Sequence, residues 1–236
     1  MAEYNEKIKA LVARVMKLFS RQELLSRWQD IADNFYPERA DFTYSRQQGQ
    51  EFVDHLSSSY PLVIRRDLGD SIGGMLRPRG QQWFSVRTNK EDRELDGPAR
   101  IFLEAATKAQ YRAMYDRVAQ FTKSTKQADQ DYSCFGQAVL SIELNLKESA
   151  LLFRNWHLRD VVWWENAQGE ICGVARKWKT CPADAVKFFR GNVHQEIKQQ
   201  AADKTSTRPY DGECEFYHIM LKADEYDYSP VVDSMG

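Results

Sequence analysis

Apolar side chains at Tyr4, Ile8, Leu11, Val12, Val15, Leu18 and Phe19 recur in steps of three and four, which puts them on one face of a helix. Ser20 then opens Ser20-Arg21-Gln22-Glu23, in which the serine can accept from an early backbone N–H while the glutamate bonds back, a capping box. A second helix is expected from about Arg21, burying Leu24, Leu25, Trp28, Ile31, Ala32 and Phe35. It ends at Pro37, which lacks the N–H that a continuing ladder needs. Glu38 to Gln50 reads as a polar loop. Ser59 and Pro61 mark the start of a third helix with the stripe Ile64, Leu68, Ile72, Met75 and Leu76, stopped by Pro78 and Gly80. Trp83-Phe84-Ser85-Val86-Arg87 then alternates with the period of a short strand. That period places Trp83 and Phe84 on opposite faces as structural anchors, one ring entering the core and the other meeting a neighbouring element or subunit.

Asp96-Gly97-Pro98 opens a long helix carrying Ile101, Phe102, Ala105 and Ala109, with a break expected near Thr122 to Thr125. Ser124 is then the cap of a further helix ending at Gly136, where glycine accepts the left-handed conformation. From Gln137 the period becomes two. Val139 to Leu144 pairs with Leu151 to Arg154, Val161 to Trp164 pairs with Ile171 to Trp178, and Cys214 to Leu221 forms a last strand. Between them, Thr180 and Pro182 start a short helix stopped by Gly191, and a polar helix or loop covers Asn192 to Tyr210. The class is α+β: a helical part over 1–136 followed by antiparallel strands over 137–236.

Composition narrows the function classes. A chain of 236 residues with 42% hydrophobic content can bury a core, and a net charge of -1 gives no global attraction to DNA or an anionic membrane. Cys134, Cys172, Cys181 and Cys214 form no C-x-x-C pair, and His55, His157, His194 and His218 are scattered, so neither a metal site nor a cofactor is expected. No apolar run approaches the roughly 20 residues of a membrane span. The N-terminus, with Glu3 and Glu6, does not read as a signal peptide, which points to synthesis in a reducing cytoplasm.

Gly69-Asp70-Ser71-Ile72 resembles the serine block of the GDSL hydrolases, with Ser71 as nucleophile. That chemistry needs a base from a D-x-x-H pair, and none of the four histidines has an aspartate three residues before it. No catalytic residue is assigned. Gly69, Gly73, Gly74 and Gly80 lack the P-loop lysine and suit close helix packing. Asp129 and Asp131, like Asp224, Glu225 and Asp227, read as solvated faces. Trp163-Trp164 has the rings to stack bases, although alternating aromatics on a hairpin are more often half core and half interface. Arg65, Arg66, Arg77, Arg79 and Arg87 concentrate positive charge on and after the third helix. Arg77, Arg79 and Arg87 are candidate contacts to DNA or an adjacent subunit, against the plainer reading that they pair with acidic neighbours.

The order of several motifs resembles the portal, or head-to-tail connecting, proteins of short-tailed double-stranded DNA phages. Trp28-Gln29-Asp30-Ile31-Ala32 leads to Tyr36-Pro37-Glu38-Arg39. Arg66-Asp67-Leu68 leads through Met75-Leu76-Arg77-Pro78 to Gln82-Trp83-Phe84-Ser85-Val86. Asp131 to Leu140 carries the helix, Phe135-Gly136 and strand junction. Leu158-Arg159-Asp160-Val161-Val162, Glu165-Asn166, Gly169 and Arg176-Lys177-Trp178-Lys179-Thr180 follow in order. The resemblance implies the wing region of a portal subunit in a dodecameric homo-oligomer ring at the capsid vertex, with double-stranded DNA passing through. It implies the major capsid protein, scaffolding protein, terminase and tail adaptor as partners, no membrane, and a place in the virion after assembly in the host cytoplasm. It implies no enzyme. The family's clip, stem and C-terminal regions have no counterpart here, so a fragment or truncated copy is expected. The alternatives are a serine hydrolase acting through Ser71 and a stand-alone DNA-binding or adaptor module.

Overall fold

The computed structural model describes residues 2–44, 56, 58–88, 96–203 and 208–222. The side chain of Tyr4, the loop beyond Tyr44, His55 and the acidic tail at Asp224, Glu225 and Asp227 lie outside the described residues. Among the described residues five α-helices come first: α1 (Ala2–Phe19), α2 (Gln22–Phe35), α3 (Tyr60–Leu76), α4 (Gly97–Tyr115) and α5 (Phe121–Phe135). The antiparallel strands β1 (Val139–Leu144), β2 (Leu151–Trp156), β3 (Val161–Glu165) and β4 (Ile171–Thr180) follow. Then come α6 (Pro182–Phe188), α7 (Gln195–Ala202), α8 (Arg208–Asp211) and β5 (Cys214–Leu221). The fold is α+β, with a two-stranded sheet β1-β2 and a three-stranded sheet β3-β4-β5. The chain divides into two compact units, Gln22–His157 and a discontinuous one made of Met1–Arg21 and Leu158–Gly236.

In the discontinuous unit, α1 lies on the three-stranded sheet. Period two puts Val162 and Trp164 on one face, and Val15 of α1 packs there with Cys172 and Ala175, bordered by Leu11, Leu18, Ile219 and Leu221. Trp164 pairs in register with Gly173. The glycine is required there, because a Cβ at 173 would fall 2.0 Å from the indole ring. Arg14 covers the same indole at 5.2 Å. Farther along β4, Trp178 gathers Phe188, Phe189 and Phe216 at centroid distances of 5.1, 6.1 and 5.2 Å, seating α6 against β4 and β5.

In the Gln22–His157 unit, α3 and α5 pack closely and the β1-β2 hairpin lies on α5. Gly69 and Gly73 permit the approach, since a Cβ at either would meet Gln130 or Asp129 of α5 at 2.6 or 2.5 Å. One apolar cluster joins Ala119, Phe121 and Phe153, bordered by Trp83, Met114, Leu140 and Leu151. Aromatic contacts link Trp28 to Phe42 at 5.5 Å and Phe42 to Phe135 at 5.2 Å.

Several local expectations need correction. Ser20 does not cap α2; its hydroxyl donates to the Met16 carbonyl at 3.1 Å and finishes α1 instead. The break before α5 falls earlier than Thr122, where Asp116 accepts from Val118 N–H at 2.8 Å and Gln120 adopts a left-handed φ of 55°. Ser124 therefore lies inside α5, buried, donating to the Phe153 carbonyl at 2.7 Å. Gly136 does close the helix, at φ 70°. The stripe assigned to the core side of α3 is largely exposed at Ile64, Leu68, Met75 and Leu76, while Arg65 and Gly69 are buried. Glycine contacts and polar pairs with α5 decide that orientation. The segment Trp83 to Arg87 forms no strand, so Trp83 and Phe84 do not part to opposite faces: their rings meet edge to face at 4.8 Å.

Candidate functional site

Within the Gln22–His157 unit, α3, α4, α5 and the turn after α3 enclose a cleft of about 840 Å³. Pro78 and Gly80 (φ +76°) end α3 and turn the chain, so Arg79, Gln81 and Gln82 line one side. On α4, Lys108, Tyr111, Arg112 and Tyr115 share a face by their spacing of three and four, and all four line the cleft. Phe121, Thr125, Lys126 and Asp129 do the same on α5.

Aromatic rings stiffen the rim. Trp83 stacks on Phe121 at 6.3 Å and donates from Nε1 to the Tyr115 hydroxyl at 3.1 Å. Phe84 stacks on Tyr111 at 5.2 Å, Tyr111 on Tyr115 at 4.9 Å, and the Tyr111 hydroxyl donates to the Gln81 carbonyl at 2.8 Å. Both candidate anchors are half-buried. Trp83→Ala and Phe84→Ala are each expected to cost about 1 to 3 kcal/mol, less than a full core aromatic because part of each ring already meets water. Thermal unfolding of the two variants checks this, and two melting curves that coincide with the parent's would remove the anchor role.

The cleft's charges fall into two groups. Arg77 is paired with Asp129, and Lys126 lies 3.4 Å from Asp70. Arg79, Lys108 and Arg112 have no carboxylate partner among the described residues. The candidate set Arg77, Arg79 and Arg87 is therefore not brought together as a patch. Arg77 is committed to an internal pair, Arg79 faces the cleft, and Arg87 lies outside its lining with Nε donating to Ser85 Oγ at 3.3 Å. Ser71 sits on α3 and donates to the Asp67 carbonyl at 2.7 Å; no imidazole bonds it among the described residues.

Beside the cleft, a buried polar network crosses the unit. Asp131 is 1% exposed, contrary to its reading as a solvated carboxylate. Arg39 grips it with Nε to Oδ1 at 3.0 Å and Nη2 to Oδ2 at 2.5 Å, and Asn155 donates to Oδ2 at 2.6 Å. Asp129 likewise is held by Arg77 rather than by water. Arg65 donates to Gln130 at 2.6 Å and lies 3.8 Å from the Tyr36 ring centre, while Gln130 donates to Asp70 at 3.0 Å. Burial lowers the Arg39 pKa, but the hydrogen bond and charge of Asp131 outweigh it and leave the guanidinium above its ordinary value. Burial, helped by Asp131, raises Tyr36, and burial pushes the Cys134 thiol up to about 12. Asn155 Oδ1 is buried without a partner.

One signal could have located this network. Phe121, Ser124, Ala128, Asp131 and Phe135 alternate by three and four, so Asp131 occupies a core-facing position of α5. A carboxylate at such a position needs a cation. Among the described residues, no group of three His, Cys, Asp or Glu side chains could hold a metal ion, and no helix is long and apolar enough to cross a membrane.

The model of one protein family, described as bacteriophage head to tail connecting protein, matches residues 7–231. No curated protein matches the chain.

Proposed function

The chain belongs to the bacteriophage head to tail connecting protein family and is thus a structural component of the phage head-to-tail junction; from that premise we propose that it acts as a portal subunit. In this reading copies of the chain form a ring at one capsid vertex, DNA enters and leaves through the ring, and the described fold is its wing. The major capsid protein, scaffolding protein, terminase and tail adaptor are its partners, and it performs no catalysis. The observation that carries the reading is the extent of the family match, which takes in both compact units rather than one motif. Physical features support it. A ring through which DNA slides must not grip it, and a net charge of -1 gives no global counter-ion release to hold a duplex. The one serine with a hydrolase-like setting spends its hydroxyl on its own helix.

A nonsense mutation in the gene within its phage separates a portal from a later joining protein. The portal reading expects heads that contain no packaged DNA. DNA-filled heads lacking only their tails would overturn it, since such a protein joins after packaging is complete.

A further inference from the structure

Lys108 and Arg112 stand one turn apart on α4 and repel each other, and Arg79 adds a third cation from the turn after α3. All three line the same cleft, and none has a carboxylate partner among the described residues. Arg77 in the same cleft is neutralised by Asp129, so the unit does place carboxylates beside its cations where the pairing is structural. All three are exposed, so water and salt screen them, and together they leave the cleft with a local excess of positive charge that an anion would complement. We propose that this cleft is the docking site for an acidic, aromatic-containing peptide segment of a partner protein.

Peptide chemistry fits the cleft better than nucleic acid does. Its volume of about 840 Å³ lies in the range of pockets that enclose small ligands, whereas a duplex is far wider. The walls also contain Asp70 and Asp129. Both are paired with cations, Asp129 with Arg77 and Asp70 with Lys126, so only Arg79, Lys108 and Arg112 are left to meet an anion, fewer than a phosphodiester strand with a charge on every residue would need. A peptide can set discrete carboxylates at Arg79, Lys108 and Arg112 and leave neutral residues elsewhere. The exposed Tyr115 ring and the Gln81 and Gln82 amides offer stacking and hydrogen bonding between those charges. The inference does not depend on ring formation or on the route of DNA.

The test uses fluorescence anisotropy of the 236-residue chain with a fluorescein-labelled peptide of alternating glutamate and tyrosine, beside a labelled single strand and a labelled duplex DNA. The peptide is expected to bind, and the double variant Lys108→Ala with Arg112→Ala to weaken it by about tenfold or more. Arg79→Glu should weaken it comparably, and Lys147→Glu, in the β1-β2 turn, should change nothing. These side chains make no internal pair, so unchanged melting curves will show that the variants fold. Absence of peptide binding, or binding unaffected by the double variant, overturns the proposal. So does either DNA binding more tightly than the peptide and losing affinity in the same variants, which would assign the cleft to nucleic acid.

Discussion

Asp131→Ala is expected to lower the unfolding free energy of the Gln22–His157 unit by about 3 to 5 kcal/mol. The carboxylate is almost wholly buried and is the common acceptor of Arg39 and Asn155, so its loss strands a guanidinium that is itself largely out of water. The Asn155 Nδ2 group would lose its acceptor as well, in a residue whose Oδ1 already has no donor. Asp131→Asn, which keeps the shape and one acceptor but not the charge, should fall between parent and alanine variant. Urea unfolding checks this, and because the chain has two compact units the shift should be largest in the transition of the Gln22–His157 unit. A loss below about 1 kcal/mol would mean that the network does not hold the unit together.

Trp164→Ala should cost the discontinuous unit about 3 to 5 kcal/mol, the range for deleting a large core aromatic. The ring fills the space over Gly173 and packs with Val15 of α1, so its removal opens a cavity that the glycine cannot close. Gly173→Ala alone should also destabilise, by about 1 to 3 kcal/mol, because its methyl would enter the indole and Trp164 must move. Combined, the two changes should cost less than their sum, since the methyl then occupies room the ring has vacated. Strict additivity in urea unfolding would show that ring and glycine are not in contact.

The helices and strands were largely legible because long apolar periods and turn residues are local signals. The change of period at Gln137 marks the first strand, and Gly136 marks the helix end by its left-handed backbone. What was not legible depends on partners distant in sequence. Ile64, Leu68 and Met75 form a clean apolar stripe, yet α3 turns its glycines and Arg65 to α5 because Gln130 and Asp129 wait there. Ser20 and Ser124 look alike as caps, and both hydroxyls instead found carbonyl acceptors. Trp83 and Phe84 alternate as in a strand but pair with no strand among the described residues, and their rings stack on Phe121 and Tyr111 instead. The cleft itself unites turn, α4 and α5, and only Arg79 and Arg77 among its cations stood out in the sequence.

The discontinuity of one unit also bears on the order in which the chain can fold. Val15 reaches its core only after Val162, Trp164 and Ala175 exist, with all of 22–157 intervening. During synthesis α1 must therefore wait as an unpartnered amphipathic helix while the other unit, whose contacts are closer along the chain, closes first. Once Gln22–His157 has folded, it shortens the effective loop between α1 and β3, and the entropy of bringing them together falls. Damage to the Asp131 network would thus be felt twice, directly in its own unit and again as slower closure of the sheet that α1 covers.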